Sequence, residues 1–128
     1  KPLFGTKAAT ELRATIKCVK NATSTVSTSE IKSQVINAIN QYFTIDNWDF
    51  GDTFFFSELS SYLHDQLGSI ISTVVLVPTN PLKSFGDLYE IRSQSNEIFT
   101  NAATVNDVEV IDALTSSQLR TASNSGVV

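Results

Sequence analysis

The densest group of side chains that could bind a cation lies between residues 46 and 52. It contains three aspartates, an asparagine and a glycine: Asp46, Asp49, Asp52, Asn47 and Gly51. An EF-hand loop with Gly51 at its sixth position would place Trp48 and Phe50 where oxygen ligands are required. We therefore interpret the segment as a solvated turn in which aspartate is the turn former. We expect no metal and no other cofactor.

Asp49 and Glu58 could serve as the two carboxylates of a glycoside hydrolase, which flank the scissile bond of a sugar. A chain with 13 acidic residues offers many such pairs, so the signal is weak. His64 is the only histidine, and no serine or cysteine lies in a nucleophile motif such as G-x-S-x-G. Cys18 falls on the inward side of an alternating strand, where it is expected to be a small core residue. We predict no catalytic residue and no enzymatic activity.

Three consecutive phenylalanines and one tryptophan are the candidates for binding another molecule. In a strand, Phe54 and Phe56 point to one side and Phe55 to the other. Either both sides are core, or Phe55 or Trp48 docks on another subunit, and the sequence leaves both readings open. An exposed Trp48 would also suit a carbohydrate-binding or receptor-binding module.

Two amphipathic helices surround these aromatic residues in the sequence. Ser27 and Glu30 have the spacing of a capping box and predict the start of the first helix. Its buried face is predicted from i, i+4 spacing to contain Ile31, Val35, Ile39 and Phe43. The second helix is expected to be capped by Ser57 and to end at a left-handed Gly68. Its apolar stripe consists of Leu59, Tyr62, Leu63 and Leu67.

Strands are predicted at residues 12–19, 53–56 and 70–77, the last as a central strand covered on both faces. Strand, helix, short strand, helix and strand indicate an α/β (α+β) fold with two helices on one face of a small mixed sheet. Residues 1–78 form this central unit with an N-terminal arm. Residues 79–128 are expected to be a β-rich extension of the same domain, with strands at 88–92, 97–100 and 108–111 and a helix at 113–123. The first two of these are expected to be joined by residues 93–96.

Composition indicates a single globular domain of 128 residues. The nine Lys and Arg residues are scattered and the net charge is −4, which disfavours nucleic acid as a partner. No apolar run approaches the roughly 20 residues that span a bilayer, and no signal peptide is evident. The chain contains no methionine, so we expect it to be part of a longer protein.

The region after residue 78 has too few apolar residues for a core of its own. Its strands must extend the central sheet or pair with a neighbouring subunit through a free edge. We expect self-association, with a symmetric dimer as the commonest closed arrangement. The candidate interface residues are Trp48, Phe55, Ile98, Phe99, Val108 and Val110.

Three consecutive segments resemble the C-terminal part of the baseplate J-like family: STSEIKSQVINAINQYF, WDFGDTFFFSELSSYLHDQLGSI and ISTVVLVP. The following FGDLYEIRSQSNEIFTNAATVNDVEVID resembles the wedge-ring subunits of T4-like contractile-tail phages. The similarity covers about residues 12–112 and rests on packing and turn positions. These positions are Ser27, Phe43, Gly51, Ser57, Leu59, Leu67, Gly68 and Val75. Many family members end soon after the central strand, so they say little about residues 79–128.

The resemblance implies a structural role. Such subunits form a ring around the baseplate hub, contact one another and other wedge proteins, and rearrange when the tail contracts. The expected location is the tail baseplate of a virion assembled in the host cytoplasm. The alternative is a tail-associated module that binds or hydrolyses glycans, with Trp48 as a platform or with Asp49 and Glu58 as carboxylates. No small-molecule substrate is expected for the structural role.

Overall fold

The computed structural model describes residues 1–44, 48–79 and 89–111. Within these ranges the chain forms seven strands and two α-helices, so the α+β class predicted from the sequence is confirmed. In chain order they are β1 (Pro2–Leu3), β2 (Ala14–Lys20), α1 (Thr28–Tyr42), β3 (Thr53–Phe55), α2 (Phe56–Leu67), β4 (Ile71–Pro78), β5 (Glu90–Arg92), β6 (Thr100–Asn101) and β7 (Val108–Ile111). Short 3₁₀ turns lie at Thr10–Leu12 and Val105–Asp107. The predicted helix at 113–123 falls outside the described residues.

The main sheet has three strands in the order β4-β2-β7. β2 is antiparallel to β4 and parallel to β7, with Ile16 opposite both Leu76 and Val108. The prediction that residues 70–77 form a central strand is wrong for the described part of the chain, where β4 lies at the edge of this sheet. A run of apolar residues indicates that both faces of a strand are covered. It says nothing about which strands lie alongside.

Every sheet joins a strand from before residue 79 to a strand from after residue 88. β7 joins β2 in the main sheet, β5 pairs with β3 and β6 pairs with β1. Two strands do occur where 88–92 and 97–100 were predicted, although the second is observed only at Thr100–Asn101, and β5 and β6 belong to different sheets. Of the two arrangements left open for the late strands, the structure shows pairing within the chain. The β-rich extension is interleaved with the central unit.

Helix α1 follows its prediction closely. The Ser27 hydroxyl accepts a hydrogen bond from the Glu30 backbone N–H at 3.2 Å, which is the hydroxyl half of the predicted capping box. Ile31, Val35 and Ile39 are fully buried along one face. That face packs on the main sheet because i, i+4 spacing places the three side chains in one row.

Helix α2 starts and ends differently from its prediction. It continues directly from β3, so Phe55 is the N-cap residue and Ser57 lies inside the first turn. The Phe56 N–H is one of the first N–H groups of α2, which have no partner within the helix, and it donates to the Tyr89 carbonyl at 2.8 Å. Gly68 is right-handed, with φ −61° and ψ −18°. Glycine is favoured there for a different reason, because a Cβ would lie 2.7 Å from the His64 carbonyl oxygen and the backbone would have to shift.

The two faces of β2 have different surroundings. Ala14, Ile16 and Cys18 belong to the core beneath the helices. Lys17 points to the opposite face and is also fully buried. Its ammonium lies 3.6 Å from Glu109 Oε2 on the neighbouring strand β7. A buried lysine needs a countercharge, and the parallel register of β2 and β7 places Glu109 beside it.

Candidate functional site

A surface cleft of about 430 Å³ lies where the end of α1, the turn before β3 and the first half of α2 meet. We call it the aromatic cleft. Its lining combines four aromatic side chains, two carboxylates and one threonine: Tyr42, Trp48, Phe55, Tyr62, Asp52, Glu58 and Thr53. This volume is within the range of roughly 300–1,000 Å³ that is typical of sites for small ligands.

Local structure fixes the positions of these side chains. Glu58 and Tyr62 are four residues apart on α2, so they share one face of the helix. Tyr42 is the last residue of α1, where backbone carbonyls lack partners within the helix. The Trp48 indole Nε1–H donates to the Tyr42 carbonyl at 2.8 Å. This bond attaches the tryptophan to the end of α1.

The rings of the cleft stand at steep angles to one another. Tyr42 and Trp48 have centroids 5.7 Å apart and an interplanar angle of 73°. Tyr42 and Tyr62 are 5.4 Å apart at 52°. Phe55 adds a fourth ring, with 39% of its surface exposed. The four rings therefore form walls with different orientations and do not make a single flat platform.

A buried group of rings, the aromatic cluster, supports the cleft from below. It contains Phe4, Phe43, Trp48, Phe54 and Phe99, and it shares Trp48 with the cleft. The Trp48 indole stacks on Phe43 at 5.4 Å and 20° and meets Phe99 edge-on at 5.3 Å and 78°. One face of the indole is thus covered by protein. Contacts of this kind also hold Trp48 in a fixed orientation.

The two carboxylates of the cleft have local hydrogen-bond partners but no basic partner. Asp52 Oδ2 accepts the Asp49 backbone N–H at 2.8 Å. Burial, the charge of Glu58 and a hydrogen bond with Glu58 together raise the pKa of Tyr42 to about 12. In the described parts of the chain, the three ion pairs are Lys1–Glu97, Lys17–Glu109 and Arg92–Glu90. None of them involves Asp52 or Glu58.

The proposed glycosidase pair is only half present in the cleft. Glu58 lines it, whereas Asp49 is exposed outside it and contributes its backbone N–H to Asp52. Asp46 and Asn47 lie outside the described residues. In the part of the chain that the structure describes, no three His, Cys, Asp or Glu side chains are grouped so that they could hold a metal ion.

His64 and Cys18 lie away from the cleft. His64 is exposed on α2. Cys18 is fully buried in the main sheet, which confirms its interpretation as a core residue. Burial raises the pKa of the Cys18 thiol to about 12, so the nucleophilic thiolate is not formed near neutral pH.

Two of the six candidate interface residues are internal to the chain. Phe99 is fully buried against Trp48 and Phe54, and Val108 is 3% exposed on the side of β7 that faces the helices. The prediction that these two residues lie at an intersubunit surface is wrong, because both are core residues. Trp48 and Val110 are half-buried and pack on the core, Ile98 is also half-buried, and Phe55 is exposed.

Phe50 and Val105 are exposed apolar residues that sequence reasoning missed as contact candidates. They are 66% and 42% exposed. Phe50 lies between Asp49 and Gly51 in a polar turn, where no strand or helix face can bury it. The position of an apolar residue within this polar turn could have identified Phe50 as exposed from the sequence.

No helix among the described residues is long and apolar enough to cross a lipid bilayer. No protein-family model matches the chain, and no curated protein sequence is significantly similar to it.

Proposed function

We propose that this chain is a structural module of the baseplate wedge of a contractile-tail phage, where it mediates contacts between subunits of the ring around the hub. One observation carries the proposal. The segment similar to wedge-ring subunits, in its described part at residues 89–111, contributes one strand to each of the three sheets. The resemblance therefore covers parts of the chain that fold together.

The positions on which the resemblance rests are packing and turn positions. Phe43, Leu59 and Leu67 are buried, and Gly51 has a φ of 81°, which favours glycine. Residues of this kind maintain a fold and leave recognition to the surface. A structural module acts through such a surface, here through contacts with a second copy and with other wedge proteins in the virion tail baseplate, after assembly in the host cytoplasm.

The surface we assign to subunit contacts includes Phe50 and Phe55. Exposed aromatic residues are enriched where proteins bind one another. Strands β5, β6 and β7 give no reason to expect self-association, because each of them pairs within its own chain. Truncation at residue 78 would remove one strand from each of the three sheets, so it could not separate self-association from folding.

Sedimentation velocity of the intact chain at increasing concentration tests the proposal. We expect a concentration-dependent oligomer that Phe55→Ser shifts towards monomer. Serine is a preferred N-cap residue, so this variant should retain α2. Val105→Ser removes a comparable exposed apolar side chain elsewhere and should leave the oligomer unchanged. A chain that remains monomeric at high micromolar concentration, or equal effects of both variants, would contradict the proposed contact.

A glycan-binding or glycan-hydrolysing module is the second candidate, favoured by the presence of Trp48, Tyr62 and Glu58 in one cleft. A peptidoglycan lysis assay and a glycan-binding screen separate the two functions. We expect neither lysis nor binding. Lysis that disappears in Asp49→Ala or Glu58→Ala would overturn the structural proposal.

A further inference from the structure

We infer that the aromatic cleft binds a lysine or arginine side chain presented by a partner subunit. This inference deepens the proposed function and rests on it for the source of the cation, but the chemistry of the cleft stands by itself. Four aromatic walls and two carboxylates converge on one space that is open to solvent. No lysine or arginine lines it among the described residues.

The aromatic walls suit a cation. The face of a tryptophan or tyrosine ring carries negative electrostatic potential and attracts an ammonium or guanidinium group within about 6 Å of its centroid. Rings that meet at 73° and 52° can present their faces to one bound group from different sides. Phe55 extends this wall at the end of β3, where it can contact the alkyl stem of a long basic side chain.

The charges point to the same ligand. Asp52 and Glu58 are two carboxylates on one cleft, and neither is paired with a basic residue in the described ranges. Glu58 lies close enough to Tyr42 to contribute to the raised pKa of its hydroxyl. A bound guanidinium or ammonium group would find both a countercharge and an aromatic surface there. The net charge of −4 adds a favourable long-range field for a basic partner.

A sugar fits this geometry less well. Pyranose rings stack on a flat exposed aromatic face, whereas Phe43 covers one face of Trp48 and the remaining rings stand steeply to it. The indole N–H is also occupied by the Tyr42 carbonyl. These features leave the cleft with fewer free groups for orienting hydroxyls and favour a cation.

Nuclear magnetic resonance can test the inference on the intact chain, because Trp48 is the only tryptophan and gives a single indole N–H resonance. The probe is Nα-acetyl-L-arginine amide, and the neutral control is the citrulline analogue of the same shape. We expect the arginine probe to shift the Trp48 indole resonance saturably. The citrulline probe should bind about tenfold more weakly, because it lacks the charge that both the rings and the carboxylates recognise.

Three variants sharpen the test. Glu58→Gln removes one cleft carboxylate and should weaken binding of the arginine probe about tenfold, and Tyr62→Leu should weaken it by a similar factor. Glu30→Gln is the matched control, since it removes the same charge from the first turn of α1, roughly 18 Å along the helix from Tyr42. The control should bind like the unchanged chain. The backbone amide spectrum of each variant shows whether it remains folded.

Several results would overturn the inference. Equal shifts with the arginine and citrulline probes would show that charge is not recognised. Equal weakening of arginine-probe binding by Glu30→Gln and Glu58→Gln would show that the probe responds to the net charge of the chain and not to the cleft. An indole shift with an N-acetylglucosamine oligosaccharide but not with the arginine probe would assign the cleft to glycans. Tighter binding of choline than of the arginine probe would assign it to a free small cation.

Failure of this inference and failure of the proposed function are distinguishable. A chain that self-associates through Phe55 but ignores the arginine probe would retain the structural role and lose the cation site. A monomeric chain that binds the probe would retain the cation site and lose the self-association.

Discussion

The buried interior has two regions that are built in different ways. The aliphatic core between the helices and the main sheet comes from periodic runs within β2, α1, α2 and β4, and includes Ile16, Ile31, Val35, Ile39, Leu59, Leu63, Ile71 and Leu76. The aromatic cluster comes from five separate places in the sequence: Phe4, Phe43, Trp48, Phe54 and Phe99. The first region binds regular elements together. The second joins the N-terminal arm and the late strands to them.

The difference matters for function because the aromatic region reaches the surface as a cleft. An interior of aliphatic side chains ends at solvent in methyl groups, which carry no directional chemistry. Aromatic side chains carry ring faces and, in tyrosine and tryptophan, a polar group. Trp48 belongs to both the cluster and the cleft, so packing in the interior fixes a wall of the candidate site. Changes in the cluster should therefore affect both stability and the cleft.

The largest effect should come from the aromatic cluster. Phe54 is fully buried and contacts Phe4, Phe43, Trp48 and Phe99. Phe54→Ala should lower the free energy of unfolding by about 3–5 kcal/mol, as loss of a buried phenylalanine does. The neighbouring Phe55→Ala, at an exposed position, should change it by only about 0.5 kcal/mol. Urea denaturation measures both, and similar losses would show that the cluster does not hold the fold together.

Leu63→Ala tests the aliphatic core. Leu63 is fully buried on α2, so we expect a loss of about 2–5 kcal/mol in the free energy of unfolding. His64→Ala changes the next, exposed residue of the same helix and is the control. The Trp48 indole resonance should stay near its original position in folded Leu63→Ala and move in folded Phe54→Ala. A reversed pattern would mean that the two regions are not separate.

The join between the N-terminal arm and the late strands should be sensitive to one added methyl group. A Cβ on Gly5 would lie 1.7 Å from the Ala102 carbonyl oxygen, which is backbone and cannot rotate away. Gly5→Ala should therefore destabilise the chain by about 1–3 kcal/mol through overpacking. Thr6→Ala, at the adjacent exposed residue, is the control. A neutral Gly5→Ala in thermal or chemical unfolding would show that the arm is not docked there.

A smaller effect is expected from the ionisation of Tyr42. Its pKa is raised from 10.0 to about 12 in the folded chain, first by burial and then by Glu58. The folded chain therefore keeps a proton that the unfolded chain releases. This contribution to stability is complete below pH 10 and is lost as the pH rises through about 12. Glu58→Gln should lower the pKa of Tyr42 but leave it above 10.0, because burial is the largest cause. Titration of the tyrosine ring resonances measures this shift. An unchanged pKa of Tyr42 in Glu58→Gln would show that Glu58 does not interact with Tyr42.

The helices could be predicted from the sequence because their signals are local. Ser27 lies three residues before Glu30, and Ile31, Val35 and Ile39 repeat within one helix. The start of α2 could not be predicted in the same way, since the helix begins at Phe56, before the candidate cap Ser57, and the Phe56 N–H donates to the distant Tyr89 carbonyl. Local patterns give the faces of an element and not its neighbours.

The partners of the late strands were unpredictable for the same reason. A strand at 108–111 was expected, but its place beside β2 depends on pairing with residues about 90 positions earlier. Phe99 was assigned to an interface because no local pattern surrounds it, whereas the structure places it in the aromatic cluster. The sequence shows that aromatic and acidic residues capable of binding a ligand are present. It does not show that they lie together, because that depends on the ends of α1 and β3 meeting α2.

Residues 89–111 contribute a strand to each sheet, so we propose that they are an integral part of one domain and that subunit contacts use the surface around the cleft. Native-state amide hydrogen exchange tests it most directly, by comparing the amides of β4 and β7 that bond to β2. We predict the same free energy of opening for both strands, together with protection of the Ala102 amide, which donates to the Leu3 carbonyl at 2.9 Å. Much faster exchange in β7 and at Ala102 than in β4 would contradict the claim. The late strands would then be a separable arm, free to pair with a neighbouring subunit.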